Sequence, residues 1–235
     1  LLNSQPMGFY SPSQLIQDAR RHGVTVLSID VNHSDWDHQL LDSRSAQQNQ
    51  PALRLGLRLV RGLSRQGAQR VVEARQRNPF RQISHLRQWA VLNKRDMEAL
   101  ADADALQSLS GHRHQSQWQI MALEQPKPLL RDEQYQNASY FDDGVQLPAP
   151  QIAEEVLSDD RATGLTLRAH PLSLLRDRAP FNRCKRYTDL ASIGHKRFVR
   201  IAGLVTCRQR PGTASGVLFL TLEDETGNSN IVVWE

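Results

Sequence analysis

The chain has 235 residues, 39% hydrophobic and 23% charged, with 29 Lys and Arg against 25 Asp and Glu for a formal net charge of +4. This composition can bury a core and reads as globular rather than disordered, and the length suits one large or two small domains. The longest apolar runs, such as Val217–Leu220, fall far short of the roughly 20 residues of a membrane span, and no basic-then-apolar leader opens the sequence.

In chain order, Leu1-Leu2-Asn3 opens without a methionine, the first being Met7, and Ile231–Glu235 closes in what reads as the middle of a strand. Both ends suggest a piece of a longer protein. Ser11-Pro12-Ser13 offers an N-cap with proline at the first helical position, Leu15, Ile16 and Ala19 continue a helix, and Gly23 ends it. A strand is expected over 24–29. His33-Ser34-Asp35-Trp36-Asp37-His38 supplies two histidines and two aspartates, but no recognised ligand spacing; a polar turn around Trp36 accounts for it equally well. Residues 42–50 read as polar loop.

Residues 51–120 read as helical and basic. Arg54, Arg58, Arg61, Arg65, Arg70, Arg75, Arg77, Arg81 and Arg87 are opposed between Leu53 and Trp89 only by Glu73. Ala68, Val71 and Val72, with Arg70, Glu73 and Arg77 outside them, describe an amphipathic helix, and Asn93 caps another carrying Met97, Leu100 and Ala101. Between helices, Leu59-Val60-Arg61-Gly62-Leu63-Ser64 has the helix, glycine turn, helix pattern of a helix-hairpin-helix. Glycine lets backbone approach a phosphate, and the N–H groups opening the next helix point outward at the positive end of its dipole. Arg61, Gly62, Leu63, Ser64 and Arg65 are therefore the candidate DNA-backbone contacts, reading no sequence. The bland alternative is an αα-hairpin packed for stability. Arg95–Leu100 through Asp104-Ala105-Leu106 reads as a paired second hairpin, with Asp104 where glycine is expected; that weakens a phosphate role there.

Over 132–160 the sign inverts: Asp132, Glu133, Asp142, Asp143, Glu154, Glu155, Asp159 and Asp160 stand with no Lys or Arg among them. Such a segment repels phosphate and is expected to lie away from DNA, as a connector. From 196 onward strands dominate. Phe198–Cys207 alternates with Val199, Ile201, Val205 and Cys207 on one face, interrupted at Gly203 as by a bulge or bend. Val217–Leu222 and Asn230–Trp234 follow, with Asp224–Gly227 as a turn. This resembles the start of an OB-fold, whose barrel grips single strands by stacking and a basic groove. Arg200, Arg208, Arg210 and Phe219 are the candidates, against the alternative that Phe198, Phe219 and Trp234 fill a core. Two isolated cysteines, Cys184 and Cys207, form no CxxC pair and fit a reducing cytoplasm. No Ser-His-Asp or Cys-His set, Walker loop or dinucleotide fingerprint is visible, and the sequence offers no active site.

In order, Leu2–Tyr10, Asp18–Val24, Asp30-Val31-Asn32-His33-Ser34-Asp35-Trp36-Asp37, Leu55–Leu63, Ser110-Gly111-His112-Arg113, His170-Pro171 and Ile201–Val205 resemble bacterial C-family DNA polymerases. Asn32–Asp37 is similar to the error-prone branch, and the resemblance runs over essentially the whole chain. It implies four parts: the end of the fingers (1–50), a tandem helix-hairpin-helix region (51–125), a connector (126–195) and a truncated OB-fold (196–235). The implied fold class is mixed α and β, mostly helical and then a partial barrel. The implied function is the DNA-gripping portion of a cytoplasmic polymerase for damage-induced mutagenesis and translesion synthesis, holding primer-template duplex and single-stranded template. Mg²⁺ is implied for the whole polymerase, on carboxylates upstream of Leu1; no cofactor or catalytic residue is assigned to this chain. A sliding clamp and damage-inducible accessory proteins are implied partners, though no clamp-binding peptide is evident. Three sequence strands leave a barrel of five incomplete, with an open edge. The alternatives are the replicative branch, a non-catalytic repair scaffold of hairpin and OB modules, and a module docking a protein partner.

Overall fold

Local residues set the helix ends. Ser11 caps α1 (Pro12–Arg21) by accepting the Gln14 N–H at 3.3 Å, while Gln14 returns a bond to the Ser11 N–H at 3.0 Å. Gly23, at φ +81°, ends the helix in a conformation that glycine adopts without strain. The computed structural model describes residues 1–6, 10–42, 50–123, 145–212 and 216–234, in two units, 1–167 and 168–235. Met7–Phe9, most of the 42–50 loop and the acidic residues Asp132, Glu133, Asp142 and Asp143 lie outside the described residues.

In the first unit the strand expected over 24–29 is only β1 (Val26–Leu27). It pairs in parallel with β3 (Ala52–Arg54), which pairs antiparallel with β2 (Gln39–Leu41), giving the order β1-β3-β2. The 51–120 stretch is thus not helical from its start. Leu53 and Leu55 are buried while Ala52 and Arg54 are half-exposed, the period of two that marks a strand. A 3₁₀ turn at Leu57–Leu59 follows, then α2 (Arg65–Arg77), α3 (Ile83–Ala90), α4 (Lys94–Asp102), α5 (Gln107–Ser110) and α6 (Arg113–Ala122). Ile16, Val31, Leu57, Val71, Leu86 and Leu100 form the centre of one shared core. The inner face of α2 is Gly67, Ala68, Val71 and Ala74, the stripe its apolar spacing predicts.

The acidic stretch does not stay outside this unit. Its last part forms α7 (Ile152–Thr163), and Glu155 and Asp159 are buried there. Both bind Arg113, itself only 3% exposed: Glu155 to Nη1 and Asp159 to Nη2 at 2.6 Å. Arg113 Nε also donates to the Asp102 carbonyl at 3.1 Å, and Thr166 Oγ1 donates to Asp159 at 2.8 Å. A charge run in sequence is here partly a buried ion cluster that fastens α7 to α4 and α6.

The second unit opens with 3₁₀ turns at Pro171–Leu175 and Phe181–Arg183 and with α8 (Tyr187–Leu190). An antiparallel meander follows, β4 (Leu204–Gln209), β5 (Leu218–Glu223) and β6 (Asn228–Val233), in that order across the sheet. The strand expected from Phe198 begins only at Leu204, and Phe198 is fully exposed. Gly203 packs on β5 so closely that a Cβ there would lie 2.9 Å from the Glu223 carbonyl. The bulge falls between Val205 and Cys207, which pair with Leu222 and Thr221 and so face opposite sides rather than sharing one. Asp224 organises the expected turn, accepting N–H bonds from Thr226 at 2.7 Å and Gly227 at 2.9 Å. Arg176 braces it through Glu225 at 2.7 Å and Asp224 at 3.3 Å. The fold class is mixed α and β: a helical unit carrying two hairpins, then an antiparallel sheet of three strands, with no closed barrel among the described residues.

Candidate nucleic-acid interface

The first hairpin is built around Gly62, at φ +88°, where an L side chain would be strained. Leu63 next to it is buried and anchors the turn in the core. Ser64 caps α2, its Oγ accepting the Gly67 N–H at 2.9 Å. The charge that completes the turn comes from Asp96, which is 1% exposed. Its carboxylate accepts the Ser64 N–H at 2.9 Å and the Ser64 hydroxyl at 3.0 Å. Asp96 also sits in the first turn of α4, its own N–H bonded to the Asn93 side chain at 2.8 Å. One carboxylate therefore serves the positive ends of two helices and ties the hairpins together. Gly67 is small because a Cβ there would lie 2.5 Å from Asp96 Oδ2. Sequence reasoning passed over Asp96; its signal was its place three residues after the capping Asn93.

Arg61 faces the C-terminal end of α7. Its N–H donates to Ala162 O at 2.8 Å, and its Nη1 donates to Asp160 O at 3.0 Å and Arg161 O at 2.9 Å. Those carbonyls lie in the last turn of α7, at the negative pole of that helix. Gly164 follows at φ +79°, where a Cβ would stand 2.7 Å from Arg61 Nη2. Arg65 is exposed, with its guanidinium 5.9 Å from the Trp36 ring centre. Arg61, Gly62, Ser64 and Arg65 are exposed, but Arg61 is engaged with α7.

The arginine run sorts in the same way. Arg54 donates to Ser28 O, Arg58 to Asn3 O and Asp37, Arg70 to Ala90 O, and Arg87 to Leu123 O, at 2.7–3.0 Å. Arg75 holds Val31 O, Ser34 O and Asp35. Burial lowers the pKa of Arg54 and Arg75 from the usual arginine value, opposed by Asp30 and Asp35. With Arg61, six of the nine brace the fold; Arg65, Arg77 and Arg81 are exposed, and the last two make no hydrogen bond or ion pair among the described residues.

The second hairpin points inward. Ala103 through Leu106 are buried, Asp104 takes the left-handed conformation at φ +54°, and Ala105 O accepts the Val31 N–H at 3.0 Å. A left-handed aspartate standing where glycine is expected follows from that residue's tolerance of this conformation.

The sheet separates the other candidates. Register puts Phe219 on one face with Gln209 and Val232, and Arg208 on the opposite face with Leu220 and Ile231. Arg210 lies just past β4, and Arg200 precedes it, its carbonyl accepting the Lys185 N–H at 2.8 Å. Arg200, Arg208, Arg210 and Phe219 are all exposed, but Arg208 and Phe219 do not share a surface.

Around Trp36 the polar turn is used internally. Asp35 pairs with Arg75, Asp37 with Arg58, and His38 Nδ1 accepts the Gly56 N–H at 3.1 Å. Burial first, then Arg58, lowers the His38 pKa to about 4. Among the described residues no group of three or more His, Cys, Asp or Glu is placed to hold a metal. No helix among them is long and apolar enough to cross a membrane, and Cys184 and Cys207 are free thiols.

Comparison with known proteins matches residues 23–116 to the helix-hairpin-helix motif. The chain is similar to the error-prone DNA polymerases of Teredinibacter turnerae, 49% identical, and Saccharophagus degradans, 51% identical, each over 235 residues. That of Pseudomonas aeruginosa is 47% identical over 233 residues. These alignments cover 99–100% of this chain but only 22% of each relative, so the chain spans about a fifth of the length of the polymerases it matches.

Proposed function

We propose that this chain, homologous along its whole length to a segment of error-prone DNA polymerases, is the part of such an enzyme that grips DNA rather than the part that joins nucleotides. The observation that carries the reading is the first hairpin: a glycine turn at φ +88° exposed beside Ser64 and Arg65, inside a region matching the helix-hairpin-helix motif. Arg65 meets a phosphate directly, and the Gly62 backbone allows the strand to come close. Arg61 acts through the turn, which it fixes to α7, and Asp96 holds Ser64 in place. The contacts carry no base information, as suits a polymerase that must hold any duplex.

For the whole enzyme this reading supplies translesion synthesis in damage-induced mutagenesis, with Mg²⁺, a sliding clamp and damage-inducible accessory proteins as its partners in the bacterial cytoplasm. Phe219, with Gln209 and Val232 beside it, is the face of the sheet on which a template base would stack; Arg208 points to the other face and so serves no base stacked on Phe219.

The test is fluorescence anisotropy of the 235-residue chain on a labelled primer-template duplex at about 50 mM salt, where backbone contacts are strong. Saturable binding is expected, weakened by Arg65→Ala and by Gly62→Val, with thermal melts confirming that both variants fold. A folded wild-type chain that does not bind at this salt would overturn the proposal.

A further inference from the structure

We propose a second DNA contact in the first unit: the stacked rings of His85 and Trp89 at the corner between α2 and α3, flanked by Arg77 and Arg81, take an unpaired nucleotide of single-stranded DNA. This inference rests on the reading that the chain binds DNA, but not on the hairpin.

His85 and Trp89 are four residues apart and so lie on one face of α3. Their rings stack, with centroids 4.5 Å apart and planes 16° from parallel. Phe80, buried in the core, holds Trp89 from a second direction at 6.0 Å. Trp89 nonetheless remains 39% exposed. A tryptophan already fixed by two rings loses little freedom when a further ring stacks on it.

The charges beside it are as telling. Arg77 ends α2 and Arg81 directly follows Phe80 in the chain, so both belong to the α2–α3 connection that carries Phe80. Six other arginines of this run are spent on internal acceptors, yet these two are exposed and, among the described residues, make no hydrogen bond or ion pair. A fixed π-face with two unpaired guanidiniums fits a ligand that carries both an aromatic face and a phosphate. Such a ligand must be unpaired, because a duplex hides its base faces in its own stack. An apolar peptide would leave both arginines without counter-charge.

The experiment compares a labelled dT oligonucleotide with a labelled duplex by anisotropy, using the full chain and three variants: Trp89→Ala, Trp89→Phe and the pair Arg77→Gln/Arg81→Gln. The dT dissociation constant should rise about tenfold in Trp89→Ala, within the range for losing one base–aromatic stack. Trp89→Phe should keep most of the affinity, and duplex binding should stay within about twofold for both, because the stack is not open to paired bases. The arginine pair should weaken dT binding and reduce its salt dependence. As a readout independent of Trp89→Ala folding, dT should quench tryptophan fluorescence in the wild type and much less in Trp89→Phe. Equal quenching in both, or dT affinity unchanged in a folded Trp89→Ala, would overturn the inference while leaving the duplex reading intact. Failure to bind either DNA would instead sink the DNA reading itself.

Discussion

The salt dependence of duplex binding can be worked out from the arginines. Each phosphate neutralised by a protein cation releases condensed counterion, giving a log–log slope of roughly −0.9 per contact on duplex DNA. If all nine arginines from Arg54 to Arg87 met phosphate, the slope would be about −8. Six of them are held by internal carbonyls and carboxylates, leaving Arg65, Arg77 and Arg81. Three contacts give about −3, and the exposed Arg95 at the start of α4 raises the ceiling to about −4. Between 50 and 200 mM salt that is a loss of roughly 40- to 150-fold in affinity, against more than 10,000-fold for nine contacts. Anisotropy titrations at four salt concentrations would measure it. Arg65→Ala should flatten the slope by about one unit, while Arg58→Ala, whose guanidinium holds Asp37 and Asn3, should leave it unchanged. A slope steeper than about −6 would refute the count, since the inward arginines would then have to release their partners to reach DNA.

Two further outcomes test the scaffold. Arg113→Met strands Glu155 and Asp159 as buried, unpaired carboxylates, and should cost the first unit about 3–5 kcal/mol, whereas Arg113→Met/Glu155→Gln/Asp159→Asn should recover most of that; thermal melts decide it, and a single variant as stable as the wild type would refute the buried cluster. His38, whose pKa falls from 6.5 to about 4, must stay neutral to accept the Gly56 N–H, so the unfolded chain binds more protons between those values. Stability from this group is therefore complete above about pH 6.5 and declines as pH falls towards 4, by on the order of 1–2 kcal/mol after solvent screening; urea melts of wild type and His38→Gln at pH 7 and 5 should show the larger loss in the wild type.

The parts of the fold written in short-range chemistry were legible. Ser11 with Pro12 starts α1, Gly23 stops it, Ser64 and Asn93 cap α2 and α4, and Asp224 makes its turn, each through residues at most four apart. Strand limits were less so. The alternation runs from Phe198 across Gly203, yet pairing begins only after that glycine, at Leu204, so the interruption marks the start of the strand rather than a bend within it. Likewise Val205 and Cys207 share a sequence parity but not a face, because a bulge needs a partner strand to be seen. Glu155 and Asp159 read as surface acid for the same reason. Their partner, Arg113, is more than 40 residues away.

The candidate site shows the limit most clearly, because density of charge along a chain is not charge on a surface. Arginine is long, carries five donors and tolerates partial burial, so it can cap a helix or bridge carbonyls as readily as meet a phosphate. Arg61 sits beside the hairpin glycine and reads as its phosphate ligand, yet its acceptors are carbonyls 99 and 100 residues further on. The glycine itself was the better guide, since the need for a positive φ is a property of the turn alone. The two hairpins differ in turn for a reason outside either motif. Val31, from the loop after β1, donates its N–H to Ala105 and closes over the second tip, while the first tip keeps Gly62, Ser64 and Arg65 in solvent. Of the two hairpins the first thus keeps its turn exposed, and that turn stands on the Asp96 carboxylate shared by two helices.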